Sequence, residues 1–415
     1  MRVELITIGD ELLLGHTIDT NGAYIARELA AVGISVARRA SVGDDAAEIT
    51  AAVGEAIART GGVITTGGLG PTSDDMTRPA IASLFGRELV ADEARWEALR
   101  ALWKERGRGE IPPSNRLQVM IPRGAIVLDN RHGTAPGILL EDDQGRWCAM
   151  LPGVPREMRG MLADALLPVL ANRVGASRRV VRSRTLRTTG IAESHLVQLL
   201  GPLSSGVNGL ALAYLPGGDG VDLRVTVRDT SPEEADAALA DAIEALRERV
   251  ARYAYGEDGR DLAATVLDLC KARSLRVAVG ESCTGGLLGA RLTAIPGSSA
   301  VVLGGVIAYS NEVKSALLGV PPDVIERHGA VSEPVAIAMA QGARAQLGAD
   351  IGIGITGVAG PDGGTPEKPV GLVWLAVDIA GTVQARGPRL VGDRAEVRFR
   401  ATQAALDMVR RGLAD

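Results

Sequence analysis

The chain alternates short apolar runs with amphipathic helical segments, and this alternation limits its fold more than any other feature. Near the N-terminus, Val3–Ile8, Val36–Val42 and Gly62–Thr66 have the pattern of strands, and helical patterns at Asn21–Val32 and Ala46–Arg59 separate them. A β–α–β–α–β order predicts parallel strands in one sheet covered by helices. Ligands of such sheets bind at the carboxyl ends of the strands, so the loops there are the places to look for function.

The patterns divide the 415 residues into three segments, which agrees with domains of roughly 150 residues each. Residues 1–168 and 257–415 both combine strand and helix patterns with glycine-rich loops at strand ends. Residues 172–252 show strand, helix, strand, strand and helix, an order similar to that of KH modules. We predict an α/β protein in which two α/β layered domains are joined by a small KH-like α+β module.

Composition excludes several classes of protein. The net charge of −5 argues against a general nucleic-acid binder. The sequence has no run of 18 apolar residues, so we expect no membrane span. The three cysteines, Cys148, Cys270 and Cys283, form no CxxC pair and predict no disulfide framework. The sequence begins directly as a strand, without the pattern of a secretory signal. We therefore expect a cytoplasmic protein.

A serine lies on a tight turn in the third segment. Ser282 follows the apolar run Leu275–Val279 and precedes Thr284, Gly285 and Gly286. Free backbone N–H groups at such a helix start can bind a phosphate or hold a developing oxyanion. If the next strand is a parallel neighbour, Lys314 lies at the same sheet edge and is a candidate base, provided that burial lowers its pKa.

Other interpretations of this loop remain open. A serine at a strand–helix turn is most often a cap, and a lysine on a helix is usually solvated. Cys283 is a rival nucleophile or a small buried filler. Thr284 could cap the helix, and Tyr309 could orient either the lysine or a ligand.

The first segment has a second glycine loop after a strand. Gly67–Thr72 suits a phosphate, but it is neither a Walker loop nor a dinucleotide fingerprint. Acidic residues near this sheet edge suggest a hydrated divalent cation, because Mg²⁺ takes one or two carboxylates together with phosphate oxygens. The candidate ligands are Asp10, Glu11, Asp44, Asp74 and Asp75. The alternative is that Asp74 and Asp75 cap a helix.

The middle segment is rich in arginine. The cluster comprises Arg173, Arg178, Arg179, Arg182, Arg184 and Arg187. Gly206–Gly209 matches a GxxG pattern, but in KH domains that loop joins two helices, whereas here it precedes a strand pattern without cations. We favour a linker with a solvated arginine face and expect no nucleic-acid partner.

The third segment resembles the carboxy-terminal domain of the CinA family. Five motifs carry the resemblance: Glu281–Gly286, Pro296–Ser299, Tyr309–Lys314, Gly329–Pro334 and Thr356–Gly364. The resemblance implies hydrolysis of nicotinamide mononucleotide (NMN) to nicotinate mononucleotide and ammonia, without a cofactor. It implies Ser282 as nucleophile, Lys314 as base and Tyr309 beside them.

Substrate contacts are expected around the same loop. The amides of Thr284, Gly285 and Gly286 would serve as oxyanion donors. Residues expected to bind the ribose phosphate are Gly357, Gly360 and Arg400, the last on the final predicted helix.

The first segment also resembles CinA proteins, and is similar to molybdopterin-binding proteins. The matching motifs are Gly9–Leu13, Asp19–Asn21, Gly67–Asp75 and Pro152–Met158. The resemblance implies hydrolysis of ADP-ribose to AMP and ribose 5-phosphate with a divalent metal, Mg²⁺ or Co²⁺, and a role for K⁺. Asp75 is the foremost catalytic or metal residue. The expected substrate-binding residues are Asn21, Gly67, Gly68, Gly70, Thr72 and Glu157.

Together these expectations describe a cytoplasmic, homodimeric enzyme of pyridine nucleotide salvage with two small-molecule substrates. One alternative is a pterin-binding protein of molybdenum cofactor synthesis. Another is an accessory protein of competence or recombination, since the resemblance also implies a functional link to the recombinase RecA. No residue pattern here supplies a mechanism for reading DNA.

Overall fold

The computed structural model describes residues 1–107, 109–175 and 179–414. The chain forms two compact units. The first comprises Met1–Arg182 and Val227–Ala237, and the second comprises Ser183–Thr226 and Ala238–Asp415.

The first segment is built from strands and helices in alternation. Its strands are β1 (Arg2–Ile8), β2 (Ser35–Val42), β3 (Gly62–Thr66), β4 (Leu89–Ala91), β5 (Met120–Pro122), β6 (Ile126–Leu128), β7 (Gly137–Glu141) and β8 (Trp147–Leu151). Its α-helices are α1 (Asp10–Leu13), α2 (Thr20–Ala31), α3 (Ala46–Thr60), α4 (Thr77–Leu84), α5 (Glu93–Glu105), α6 (Pro155–Met161) and α7 (Leu167–Val174). A 3₁₀ helix at Pro113–Val119 and a π-helical turn at Leu162–Leu166 complete it.

A six-stranded sheet in the order β2-β1-β3-β8-β7-β6 organises this segment. Strand β1 alternates its side chains between two cores, with Val3 and Leu5 in one and Ile6 and Ile8 in the other, so both faces are buried as parallel sheets require. Strands β2, β1 and β3 are parallel, as predicted. Strand β8, which was not predicted, is parallel to β3. Strand β7 is antiparallel to β8, and β6 is antiparallel to β7. The alternation of strand and helix patterns did not predict these two strands at the edge of the sheet.

The middle segment contains β9 (Val180–Thr188), α8 (Glu193–Leu200), β10 (Ala211–Pro216), β11 (Val221–Thr230), α9 (Pro232–Val250) and β12 (Ala254–Glu257). Its sheet has the order β10-β11-β9-β12. The predicted hairpin forms, since β10 and β11 are antiparallel. The predicted capping box also forms: the amides of Ser231 and Glu234 each donate to the other's side chain at 3.3 Å.

The third segment contains β13 (Val277–Glu281), β14 (Val302–Ile307), β15 (Ile351–Gly357), β16 (Val373–Ile379) and β17 (Thr382–Arg386). Its helices are α10 (Leu262–Ala272), α11 (Leu287–Thr293), α12 (Asn311–Leu318), α13 (Pro322–His328), α14 (Glu333–Leu347) and α15 (Arg394–Ala414). The sheet order is β14-β13-β15-β16-β17. Strand β13 is parallel to β14 and β15, and its last residue, Glu281, lies opposite Ile307 and Ile355. The loops after β13 and β14 therefore meet at one sheet edge.

The arginines of the middle cluster are not a free solvated face, which corrects the prediction. The structure pairs five of them with acids, namely Arg173–Glu141, Arg179–Asp229, Arg182–Asp236, Arg184–Glu257 and Arg187–Asp219. Arg178 lies outside the described residues. Carboxylates on neighbouring elements offset these charges, a feature that the sequence spacing does not reveal. Within the described ranges, no helix combines the length and apolar character needed to cross a bilayer.

Candidate catalytic site at the end of strand β13

Ser282 and Lys314 meet at the carboxyl ends of β13 and β14. The amide of Ser282 donates to the carbonyl of Ile355 at 2.9 Å, which fixes the turn against β15. The Nζ atom of Lys314 lies 3.1 Å from the Oγ atom of Ser282. The serine is 8% exposed and the lysine 1% exposed, so both side chains are buried and the lysine lies deeper.

Two carbonyls hold the Lys314 amine in place. Its Nζ donates to the backbone oxygens of Ala308 at 2.8 Å and Tyr309 at 3.2 Å. Burial lowers the pKa of Lys314 because it removes the hydration of the charged form. The charged amine would donate to all three oxygens. Once neutral, it keeps two N–H groups for the two carbonyls, and its lone pair can accept the proton of the Ser282 hydroxyl.

Glu281 organises the loop that carries Ser282. This buried carboxylate accepts from the amides of Gly286 at 3.1 Å, Leu288 at 3.1 Å and Gly289 at 2.8 Å. It thereby accepts hydrogen bonds at the N-terminus of α11, where the backbone N–H groups have no acceptor within the helix. The Thr284 side chain, which was expected to cap this helix, does not, and the N-cap position is Gly286.

The predicted oxyanion donors need correction. The amide of Gly286 is taken by Glu281, and that of Gly285 donates to the carbonyl of Ser282 at 3.0 Å. Within the described part of the chain, the amides of Cys283 and Thr284 donate to no acceptor on another residue. These two, immediately after the serine, are the donors left for a ligand oxygen.

Cys283 does not compete with Ser282 as a nucleophile. It is 6% exposed and belongs to the apolar core under the sheet. Burial raises the pKa of its thiol to about 11, and a protonated thiol is a weak nucleophile. The buried-filler interpretation of this residue is the one that the structure supports.

Two arginines of α15 that the sequence analysis missed lie beside the site. Arg398 donates through Nε at 3.2 Å and Nη2 at 2.7 Å to the carbonyl of Thr284. Arg394 donates to the carbonyl of Gly360 at 2.6 Å and to the Tyr309 hydroxyl at 3.3 Å. The spacing of four residues was the available signal, because it places both side chains on one helix face.

Tyr309 contributes two different groups. Its carbonyl holds the lysine amine, as described, whereas its side chain is 64% exposed and contacts Arg394. The expected orientation of Lys314 by Tyr309 thus comes from backbone and not from the phenol. Arg394 and Gly360 also line a cavity of about 470 Å³ at the start of α15.

Arg400 lies apart from this arrangement, whereas Gly357 is two residues beyond Ile355, whose carbonyl accepts from the Ser282 amide. A side chain at Gly357 would meet the carbonyl of Leu372 at 2.7 Å, so this glycine allows close packing against the neighbouring strand. Arg400 lines a different cavity. It follows Arg398 by two residues, about 200° around a helix, and therefore cannot share its face. The expected phosphate contact of Arg400 is corrected on these grounds, and that of Gly357 stays a prediction.

The glycine loop of the first unit is held by its own side chains. Asp75 accepts from the amides of Gly70 at 2.7 Å and Thr72 at 2.9 Å, and from the Thr72 hydroxyl. Gly67 has φ +115°, and a side chain there would strike the carbonyl of Ile8. Both oxygens of Asp75 thus accept hydrogen bonds from within the loop. This geometry is more typical of a residue that stabilises the loop than of a metal ligand.

Arg78 is a further loop residue that sequence reasoning missed. Its Nη2 donates to the carbonyl of Leu69 at 2.6 Å, and its Nη1 donates to the carbonyl of Leu117. Burial lowers the pKa of this guanidinium to about 10. Arg78 lies in the first turn of α4, and nothing in the sequence around it predicted that its side chain would reach back to the loop.

Acidic side chains gather near the ends of β1 and β2. The amide of Asp10 donates to Asp44 at 3.1 Å, and the amide of Asp44 donates to Asp10 at 3.2 Å. Burial raises the pKa of the Asp44 carboxyl, and the charges of Asp10, Glu11 and Asp74 raise it further. Among residues 1–107, 109–175 and 179–414, however, no group of three or more acids, histidines or cysteines forms a metal site. Asp10 and Asp44 alone match the one or two carboxylates that Mg²⁺ takes when phosphates supply the rest.

The two remaining predicted residues of the first unit lie in different surroundings. The Asn21 amide donates to the carbonyl of Gly153 at 2.7 Å and to the Thr66 hydroxyl at 3.3 Å. Its buried Oδ1 accepts no hydrogen bond from the residues that the structure describes. Asn21 therefore lies at the end of β3, near the glycine loop. Glu157 instead accepts from Asn130 at 2.6 Å.

Known protein families match the chain in three consecutive parts. Residues 4–172 match the family described as "Probable molybdopterin binding domain". Residues 183–256 match the "Damage-inducible protein CinA KH domain", and residues 259–413 match the "CinA C-terminal domain". The middle match confirms the KH-like module that was predicted between the two α/β domains.

Individual relatives extend the likeness over the whole chain. A "CinA-like protein" of Gemmatimonas aurantiaca is 61% identical over 414 residues, covering 100% of this chain and 97% of the relative. A "CinA-like protein" of Parasynechococcus marenigrum is 46% identical over 415 residues, covering 99% and 98%. The crystal structure of the competence/damage inducible protein CihA from Agrobacterium tumefaciens is 41% identical, with a TM-score of 0.36, covering 37% of this chain and 94% of that one. The full-length matches to its relatives show that this chain belongs to the CinA family.

Proposed function

We propose that the domain around Ser282 hydrolyses the carboxamide of NMN to nicotinate mononucleotide and ammonia. The observation that carries this proposal is the 3.1 Å contact between the Ser282 hydroxyl and the buried Lys314 amine. A serine becomes a nucleophile when an adjacent base takes its proton. The choice of NMN rests on the likeness of the five motifs to CinA proteins.

In the first half of the reaction, the Ser282 oxygen attacks the carboxamide carbon and its proton passes to Lys314. The carbonyl oxygen becomes an oxyanion, which the free amides of Cys283 and Thr284 would stabilise. When the tetrahedral intermediate collapses, the C–N bond breaks and Lys314 returns the proton to the leaving nitrogen. Ammonia departs and an ester to Ser282 remains.

In the second half, water attacks the ester carbon while Lys314 takes the water's proton. The same amides would hold the second oxyanion. Collapse breaks the C–O bond to Ser282, and the proton returns from Lys314 to the serine. The products are a carboxylic acid and the original enzyme. The acid then releases its proton to the solvent or to the ammonia and becomes a carboxylate, so atoms and charges balance.

Two arginines provide the positive charge for the substrate phosphate. Arg394 and Arg398 both lie beside the loop, and Arg394 lines the 470 Å³ cavity with Gly360. Guanidinium groups bind phosphate through paired hydrogen bonds. Holding the phosphate there would fix the carboxamide relative to Ser282, which is how remote contacts lower a barrier.

The test is ammonia release from NMN by the intact protein and by two single variants. Ser282→Ala should lower kcat by about 10⁴-fold or more, because the nucleophile is lost. Cys283→Ala, the matched neighbour, should keep most of its activity. The proposal is wrong if Ser282→Ala stays active or if Cys283→Ala is the inactive protein.

For the first unit we propose hydrolysis of ADP-ribose to AMP and ribose 5-phosphate. The specific observation is the acidic pair Asp10 and Asp44, in which the charges of Asp10, Glu11 and Asp74 act on the Asp44 carboxyl. A divalent cation bound by such a pair would offset phosphate charge and polarise a phosphorus–oxygen bond. The glycine loop held by Asp75 and Arg78 would position the pyrophosphate.

This second activity can be separated from the first by one substitution. Asp44→Asn should lower AMP formation from ADP-ribose at least tenfold, because one of the two carboxylates is removed. Ammonia release from NMN should be unchanged, since Asp44 belongs to the other unit. Equal loss of both activities, or loss of neither, would contradict the assignment.

A further inference from the structure

A second cavity lies within the second unit, between the KH-like module and α15. Its volume is about 850 Å³, which is in the range of small-molecule sites. One wall is the loop Pro216–Val221 of the module, and the other includes Leu375, Arg400 and Met408. It contains neither Ser282 nor Lys314.

The two walls are tied together by Gln403 of α15. Its amide nitrogen donates to the carbonyl of Asp219 at 3.0 Å and to the Thr189 hydroxyl at 3.3 Å. Its oxygen accepts from Arg291 at 2.9 Å. Because Gln403 is 3% exposed, these contacts are shielded from water, and the cavity is a preformed feature of the unit.

The charges on the cavity do not balance. Its two acids are neutralised by arginines, Asp219 by Arg187, and Asp407 by Arg410 at 2.6 Å and Arg411 at 2.7 Å. The two cations on the lining, Arg386 and Arg400, form no ion pair within the described ranges. After this pairing, the charge left on the lining is positive. A cleft with an excess of one sign of charge attracts ions of the opposite sign, here anions.

Arg400 has an unfilled donor as well as an unpaired charge. Its Nε is buried and donates to no acceptor in the described part of the chain. Buried polar atoms are nearly always hydrogen-bonded, so an orphaned one calls for a partner. A bound anion would provide that partner and the missing charge together.

We propose that this cavity binds a small organic anion, one phosphate, sulfonate or carboxylate group joined to an apolar body. Arg400 and Arg386 hold the anionic group. The apolar body lies against Ile191, Leu375, Leu390 and Met408. The site is distinct from the one at Ser282, because Arg400 lies on a different face of α15 from Arg394 and Arg398.

The first test is equilibrium binding of 8-anilinonaphthalene-1-sulfonate, followed by its fluorescence, to the full chain. This probe combines a sulfonate with an apolar body. Arg400→Gln should weaken binding about tenfold or more, the size expected for a lost hydrogen bond between charged groups. Arg249→Gln is the matched control, because it removes an exposed charge from α9 outside the cavity and should leave the affinity unchanged.

A second variant separates binding from folding. Ala404→Phe fills the cavity while keeping both arginines, and it should also abolish binding if the probe lies there. Circular dichroism and thermal unfolding establish that each variant is folded. The proposal is overturned if folded Arg400→Gln or Ala404→Phe binds like the parent, or if NMN displaces the probe in direct competition. Since the readout is binding, its failure is distinguishable from a failure of the deamidase proposal.

Discussion

At the scale of single residues, the surroundings of Lys314 decide what its amine can do. The side chain is buried, two carbonyls accept its N–H groups, and the Ser282 hydroxyl is its third neighbour. Burial lowers the pKa of Lys314, while the nearby charge of Glu312 raises it by less. The neutral, basic form is therefore populated at lower pH than for a solvated lysine.

We expect the pH profile of NMN hydrolysis to show this lowered pKa. The base acts only when neutral, so kcat/KM should be small at low pH and rise through the pKa of Lys314 to a plateau. The midpoint should lie below about 10.4, the ordinary value for lysine. The measurement is kcat/KM against pH from ammonia release.

A substitution supplies the control for this profile. Lys314→Arg keeps a cation at the site but cannot accept a proton, because guanidinium stays charged. It should be inactive across the whole range. A midpoint near 10.4, or an active Lys314→Arg protein, would exclude Lys314 as the base.

The sequence allowed Ser282 and Lys314 to be placed together because parallel strands bring their carboxyl ends to one edge. It did not allow the choice among the arginines of α15. The four-residue spacing indicates that Arg394 and Arg398 share a helix face and that Arg400 does not. It does not show which face turns toward the serine, because packing sets the rotation of the helix against its sheet.

At the scale of elements, the start of α11 depends on a side chain from the preceding strand. Glu281 ends β13 and accepts three amides at the helix N-terminus. A carboxylate there also interacts favourably with the helix dipole. This contact fixes the turn between them, and Ser282 is the first residue of that turn.

Glu281→Gln should therefore loosen the serine loop. A carboxamide has one acceptor oxygen in place of two and carries no charge, so at least one amide loses its partner. We expect a loss of roughly 1–3 kcal/mol in unfolding free energy, with a fall in kcat for NMN. The measurement is chemical unfolding together with the ammonia assay.

Glu312→Gln provides the comparison for this variant. Glu312 also lies in a first helical turn, that of α12, but it is exposed. Its replacement should change stability by less than about 0.5 kcal/mol. If the two substitutions changed the unfolding free energy equally, the hydrogen bonds of Glu281 would not be stabilising the loop.

Elements with strong periodicity were predictable, and short ones were not. Helix α3 and strand β3 lie within one residue of their predicted bounds, because an amphipathic stripe and a full apolar run are clear signals. Strands β6 and β17, of 3 and 5 residues, were missed. Pairing with a neighbouring strand stabilises such segments, and their own sequence carries too few alternations to show it.

At the scale of the whole molecule, α15 joins the KH-like module to the third segment within the second unit. Arg410 donates to the carbonyl of Arg252 at 2.7 Å and to that of Ala254 at 3.3 Å. Asp407 pairs with both Arg410 and Arg411 and is 5% exposed. One carboxylate thus orients the side chains that connect the two parts.

Asp407→Ala should destabilise the second unit by roughly 3 kcal/mol, because two largely buried arginines would lose their counter-charge. Asp241→Ala, at an exposed position of α9, should have little effect. Denaturant unfolding of both variants measures the difference. A loss below 1 kcal/mol for Asp407→Ala would show that water or other acceptors replace the carboxylate without cost. The predicted homodimer stays a prediction at this scale.

The burial of all three cysteines has a practical consequence. Cys148 lies in the core of the first unit, and Cys270 and Cys283 lie in that of the second. A thiol-selective dye should leave the native protein unlabelled and react only where a core opens. One equivalent of dye per chain would then indicate that the first unit has opened, and two equivalents would indicate that the second has opened. The number of labelled cysteines therefore shows which unit unfolds first.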